Sequence, residues 1–139
     1  TGGRLFMADK LDLLISDYMT VMLQVKINSR AMWITRQKNE ERIGSSGTST
    51  NTAPQERNFL ILEADKELGK LKDQKQTLDE LMEVIQGTLV KEIIIARFKY
   101  RLSWYKVGIR VCLEESTARK QYDAFKKTLR EGLWRETLY

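Results

Sequence analysis

Residues 102–120 read Leu-Ser-Trp-Tyr-Lys-Val-Gly-Ile-Arg-Val-Cys-Leu-Glu-Glu-Ser-Thr-Ala-Arg-Lys, and the architecture of the chain turns on them. Ser103 is a good helix N-cap, because its hydroxyl can accept from a free backbone N–H. The helix it opens, Trp104 to about Val111, places Trp104, Val107, Gly108 and Val111 on one face. Cys112-Leu113-Glu114-Glu115 forms a turn, with Cys112 expected to be a small buried residue. Ser116 is a second N-cap candidate. Beyond it Ala118, Tyr122, Phe125 and Leu129 step by four, three and four residues, the buried stripe of an amphipathic helix. Gly108 lies where two helices of a tight unit touch most closely, and its missing side chain permits that approach.

The other face of the helix that starts at Ser116 displays Thr117, Arg119, Lys120, Gln121, Lys126, Lys127 and Arg130. Two helices joined by a short turn, the second basic and amide-bearing, match a helix-turn-helix unit whose second helix enters the DNA major groove. In that arrangement Ser116, Thr117, Arg119, Lys120 and Gln121 are the base-reading candidates. Arg119 or Lys120 would donate to guanine, and Gln121 would make a bidentate contact to adenine. Ser103, Lys106, Arg110, Lys126 and Lys127 are assigned to phosphates, which position a protein without specifying sequence. Any amphipathic helix turns charges outward, so charge distribution supplies the second observation. Residues 90–139 hold 12 Lys plus Arg against 6 Asp plus Glu, whereas residues 1–89 hold 12 against 13. The positive surplus is confined to the C-terminal third.

The same run resembles the fourth-region helix-turn-helix of bacterial sigma factors and of regulators that share it. There a Leu-Ser pair opens the first helix, here Leu102-Ser103. A Ser-Thr pair before an apolar residue and a base opens the recognition helix, here Ser116-Thr117-Ala118-Arg119. Two residues depart from that pattern: Cys112 stands where it usually has Gly, and Gly108 where it usually has Ala. The wider layout, a helical N-terminal half, a Gly/Ser/Thr-rich break over residues 44–54, a long polar helix and then this motif, is similar to the ArpU and RinA type of phage late-transcription regulators. That resemblance implies activation of late genes in phages and prophages of Gram-positive bacteria. Nothing resembles the promoter-melting regions of a complete sigma factor.

Upstream, Leu11, Leu14, Tyr18, Val21, Val25 and Met32 are spaced as an apolar stripe with one gap. They predict a single helix from about Ala8 to Asn39 within residues 7–43. At about 30 residues it would be roughly 45 Å long and must pack along another long helix. Gly44 to Pro54 carries no charged or large apolar side chain and reads as a flexible linker. A second long helix is expected from about Gln55 to Gln86, with Leu60, Leu68, Leu71, Leu78, Leu81, Met82 and Ile85 on its apolar side. A further helix should span Leu89 to Tyr100. Residues 1–6 read as an expression remnant. The expected fold is all-α, with long N-terminal helices over residues 7–87, hairpin or coiled-coil-like, and a three-helix helix-turn-helix domain over 88–139.

Composition narrows the chemistry. The 139 residues include no histidine and one cysteine, and carry a formal net charge of +5. The usual general base, the Ser-His and Cys-His dyads and the commonest metal ligand are therefore missing. No enzyme, cofactor or metal site is expected. Asp79, Glu80 and Glu83 are close on one helix, as on an ordinary solvated face. Trp33, Trp104 and Trp134 have the spacing of core or interface residues rather than stacking platforms. No apolar run reaches the roughly 18 residues a bilayer requires, so no membrane partner is expected and the chain reads as intracellular; the resemblance implies the cytoplasm of a bacterial host. The expected partners are double-stranded DNA, host RNA polymerase and further copies of the chain, a dimer being favoured. A phage small terminase subunit and a helical protein-interaction adaptor are the competing readings.

Overall fold

In the computed structural model, residues 8–43 and 53–139 are described, and among them every regular element is helical. None of these helices is long and apolar enough to cross a membrane. The expected linker falls almost wholly outside the described residues, as do residues 1–6.

The N-terminal stretch is two helices rather than one, α1 (Lys10–Met19) and α2 (Met22–Ile43). The Thr20 N–H and hydroxyl both donate to the Ser16 carbonyl, which closes α1. Val21 then takes a φ of 59°, a left-handed conformation that β-branched residues disfavour. This joint resets the helical phase. The apolar stripe expected at Val21, Val25 and Met32 is exposed, and Leu23, Ile27 and Ile34 are buried instead.

The second long helix is also divided, into α3 (Pro54–Ala64) and α4 (Lys66–Val84). Pro54 occupies the first turn of α3, where its missing N–H costs nothing. Between the two helices Asp65 is extended and accepts from the Leu68 N–H at 2.9 Å, capping α4. It also receives both prongs of the Arg30 guanidinium from α2, each at 2.9 Å. Hydrogen bonding from Arg30 holds the Asp65 carboxyl below its ordinary range. Leu68, Leu78, Leu81 and Met82 of α4 are buried as expected, while Leu60 of α3 is not.

Thr88 caps α5 (Leu89–Ile94), which runs on into a π-helical turn over Ile95–Lys99. Then come α6 (Trp104–Val111), α7 (Glu115–Glu131) and the short α8 (Arg135–Leu138). One continuous cluster of buried side chains draws on α1, α2, α4, α5 and its π turn, α6, α7 and α8.

The deepest polar feature of that core joins α1 to α7. Asp9 and Asp12 form a reciprocal capping box, each side chain accepting from the other's N–H at 2.9 Å. The Asp12 carboxylate, 1% exposed, also accepts from the Tyr122 hydroxyl. Lys126, 6% exposed, reaches Asp9 and Asp12 at 3.1 Å each. Lys126 was expected on the outer face, contacting phosphate. It is instead a structural cation, turned inward because two carboxylates from α1 lie over that part of α7.

Burial alone would lower the Lys126 ammonium, but its hydrogen bonds to Asp9 and Asp12 outweigh that and hold it above its ordinary value of 10.5. For Asp9 burial acts upward, and the Asp12 N–H together with Lys126 brings its carboxyl below the ordinary 3.8. A raised Lys pKa gives stability that is complete below the ordinary Lys value and is lost as pH climbs past it. A lowered Asp pKa gives stability present above the ordinary Asp value and lost as pH falls below it. Lys126→Met should therefore cost about 3 kcal/mol in urea unfolding, since it leaves a buried carboxylate without its cation. That deficit should be constant between about pH 5 and pH 10 and shrink on either side. A difference that drifts steadily through neutral pH would contradict the assignment.

Candidate nucleic-acid interface

Helix α6 starts at the expected place for the expected reason: the Ser103 hydroxyl accepts from the Lys106 N–H at 3.3 Å. Its inner face buries Trp104, Val107 and Gly108, with Val111 half-buried. The helix ends in a Schellman arrangement. The Leu113 N–H donates to the Gly108 carbonyl at 2.9 Å and the Cys112 N–H to that of Ile109 at 3.3 Å. The residue at the turn is Cys112, with φ 61° and ψ 42°. It is exposed, contrary to the expectation of a small buried residue. A side chain facing solvent is what the left-handed turn imposes, since the backbone bonds and not the thiol close it.

Gly108 is required by contact with the turn. A Cβ built there would lie 2.6 Å from the Leu113 carbonyl oxygen and 3.2 Å from the Glu115 nitrogen. Helix α7 therefore begins almost against α6. Its first residue is Glu115 and its N-cap is Glu114, which makes no side-chain capping bond. The expected cap, Ser116, lies inside the first turn.

Along α7, Ala118, Tyr122 and Leu129 face the core, and Phe125 is half-buried against it. The outward row consists of Ser116, Lys120, Gln121, Asp123, Ala124 and Lys127, all exposed, with Thr117 half-buried at its edge. Ala124 was missed in reading the sequence. Its signal is positional, since it lies three residues before Lys127 and four after Lys120 and so leaves a low point in a basic row. On α6, Ser103, Lys106 and Arg110 are exposed and spaced by three and four residues along the side away from the core. Arg110 stacks its guanidinium over Tyr100 at 4.7 Å from the ring centre. Tyr105, also exposed, stands beside that row.

Arg119 is placed differently from its expected neighbours. Its guanidinium lies over the buried Trp104 ring at 5.6 Å and pairs with Glu115 at 3.7 Å. Arg97 approaches the same ring at 5.2 Å and donates to the Leu102 carbonyl at 2.9 Å. Burial, followed by the charge of Arg119, keeps Arg97 below the ordinary arginine value. Thus Arg119 belongs to a packed Trp–Arg layer under the helix rather than to the open row above it. Of the tryptophans, Trp104 is buried and Trp134 half-buried, but Trp33 is exposed on α2, with Arg30 4.8 Å over its ring.

Of the ten residues singled out in the sequence, seven are exposed, Ser103, Lys106, Arg110, Ser116, Lys120, Gln121 and Lys127, and Thr117 is half-buried at their edge. Arg119 is half-buried and Lys126 is part of the core. No group of three or more acidic or cysteine side chains that could hold a metal ion occurs among the described residues.

The family described as "Protein of unknown function (DUF722)" matches residues 7–131, and the chain belongs to that family. No curated protein and no solved structure matches it.

Two substitutions test the turn. Gly108→Ala should lower stability by about 2 kcal/mol, because a backbone carbonyl blocks the added methyl. Cys112→Gly should raise stability by up to about 1 kcal/mol, because it removes the left-handed penalty. Urea titration of both variants checks the pair, and opposite signs are the diagnostic result.

Proposed function

We propose that this member of the DUF722 family is a sequence-specific double-stranded DNA-binding regulator of transcription that lays α7 in the major groove. The reading rests chiefly on the outward row of α7. Hydroxyl, amide, ammonium and methyl groups line it beside one carboxylate, Asp123, and no large apolar side chain obstructs it. Such groups read base edges: Lys120 donates to guanine, Gln121 forms a paired contact with adenine, and the Ala124 methyl lies against a thymine methyl. Ser116 and Thr117 serve the first bases at the helix start. Ser103, Lys106, Arg110 and Lys127 hold the flanking phosphates, and their charge supplies most of the non-specific affinity.

Arg119 contributes by fixing the pose of α7 through Trp104 and Glu115, with base contact secondary to that role. The similarity to phage late-transcription regulators of the ArpU and RinA type extends the reading to activation of late genes in the cytoplasm of a bacterial host, with host RNA polymerase as the protein partner. No catalytic step is required of any residue.

Selection of bound DNA from a random pool, followed by mobility-shift titration, tests the reading. Gln121→Ala should relax preference at one base position by about 1–3 kcal/mol. Lys127→Ala should weaken all sequences alike and reduce the salt slope by about one. Ala124→Glu should abolish binding with the helical content unchanged. Retention of full affinity and preference by all three variants would remove α7 as the reading helix.

A further inference from the structure

Helix α3 is the anomaly of the fold. It is 11 residues long and buries none of them, although Phe59, Leu60, Ile61 and Leu62 follow one another in it. Phe59 is 60% and Leu60 61% exposed. An isolated helix of this length is marginal in water, and contiguous exposed apolar side chains mark a contact surface.

Beside α3 runs a groove of about 510 Å³ between it and α2, floored by Ile34, Leu60, Ile61 and Ala64 and rimmed by Lys38, Arg57 and Asp65, the last already paired with Arg30. Phe59 and Leu60 also bound the adjoining depression near Glu56. One short helix therefore presents both an apolar ridge and one wall of an apolar groove. The ridge is flanked by acids, because Glu56, Phe59, Leu60 and Glu63 recur at three- and four-residue spacing on one face. The groove is flanked by the bases Lys38 and Arg57, since the charge of Asp65 is taken up by Arg30. Neither Glu56 nor Glu63 has an ion-pair partner among the described residues, and Lys38 pairs with the exposed Glu41 at 3.5 Å and acts at longer range on Asp65.

A ridge with acidic edges and a groove with basic edges on the same element are mutually complementary, which is the condition for a two-fold contact between identical chains. We infer that α3 is a dimerisation helix: Phe59 and Leu60 of each copy enter the α2–α3 groove of the other, with Glu56 and Glu63 against Lys38 and Arg57. A lone acidic helix from another protein would match the groove but would leave the α3 ridge uncovered. A second copy covers both. The inference does not depend on DNA binding, though a dimer would present two α7 helices to two half-sites.

Sedimentation equilibrium on the full chain is the test. The wild type should have twice the 16.3 kDa chain mass at micromolar concentration. Phe59→Glu should be a monomer with unchanged far-ultraviolet circular dichroism. Lys38→Glu with Arg57→Glu should weaken association at least tenfold, and adding Glu56→Lys with Glu63→Lys should restore it. Restoration excludes misfolding as the cause of the loss. A wild type that remains monomeric, a ring of many copies, or a dimer indifferent to both Phe59→Glu and rim reversal would overturn the inference. DNA affinity measured on the same variants reports separately on α7.

Discussion

A single buried carboxylate organises the molecule. Asp12 takes hydrogen bonds from the Asp9 backbone, the Tyr122 hydroxyl and the Lys126 ammonium, so a charge removed from water is compensated on every side. The Tyr122 ring in turn lies 5.3 Å from Phe98 of the π turn and 5.7 Å from Trp104 of α6. Burial and then the Asp12 carboxylate raise the Tyr122 hydroxyl well above the ordinary tyrosine value, so it remains a donor. Through one tyrosine, α1, the end of α5, α6 and α7 are held in register. Without that register the outward row of α7 and the face of α6 would have no fixed seat on α1.

How much of this was legible in the sequence depended on whether the controlling signal was local. The bounds of α6 and the buried stripe on α7 were readable because a serine cap and a three-and-four spacing are local facts. The reason for Gly108 was readable in outline, and the turn atoms it meets supply the detail. The break at Val21 was not, because nothing at a valine announces a left-handed backbone, and the stripe through Val25 continues smoothly on paper. Asp65 was hidden similarly: its second partner, Arg30, lies 35 residues away. Lys126 was misplaced because periodicity assigns a lysine to solvent by default. Only the arrival of Asp9 and Asp12 from the far end of the sequence reverses that.

These corrections sharpen the candidate interface. Removing Lys126 and setting back Arg119 leaves a narrower row, Ser116, Lys120, Gln121, Asp123, Ala124 and Lys127, with hydrogen-bonding groups around one small residue. The charge asymmetry of the sequence is also redistributed in space, since one C-terminal cation is neutralised by two N-terminal acids. What remains exposed on α6 and α7 is the part available to a polyanion. Two helices differ in character, with the outer face of α7 polar and that of α3 apolar.

The distance along the chain between Asp12 and its partners bears on how the protein is made. Tyr122 and Lys126 are 110 and 114 residues beyond it, so this contact closes almost the whole chain into a loop. Such non-local closure is entropically costly and slow compared with helix formation. During synthesis α1 leaves the ribosome long before α7 exists, and Asp12 waits solvated until its tyrosine and lysine emerge. The α6–α7 pair can assemble locally, but its seating on α1 must come late. The surface proposed to read DNA is therefore oriented only at the end of folding.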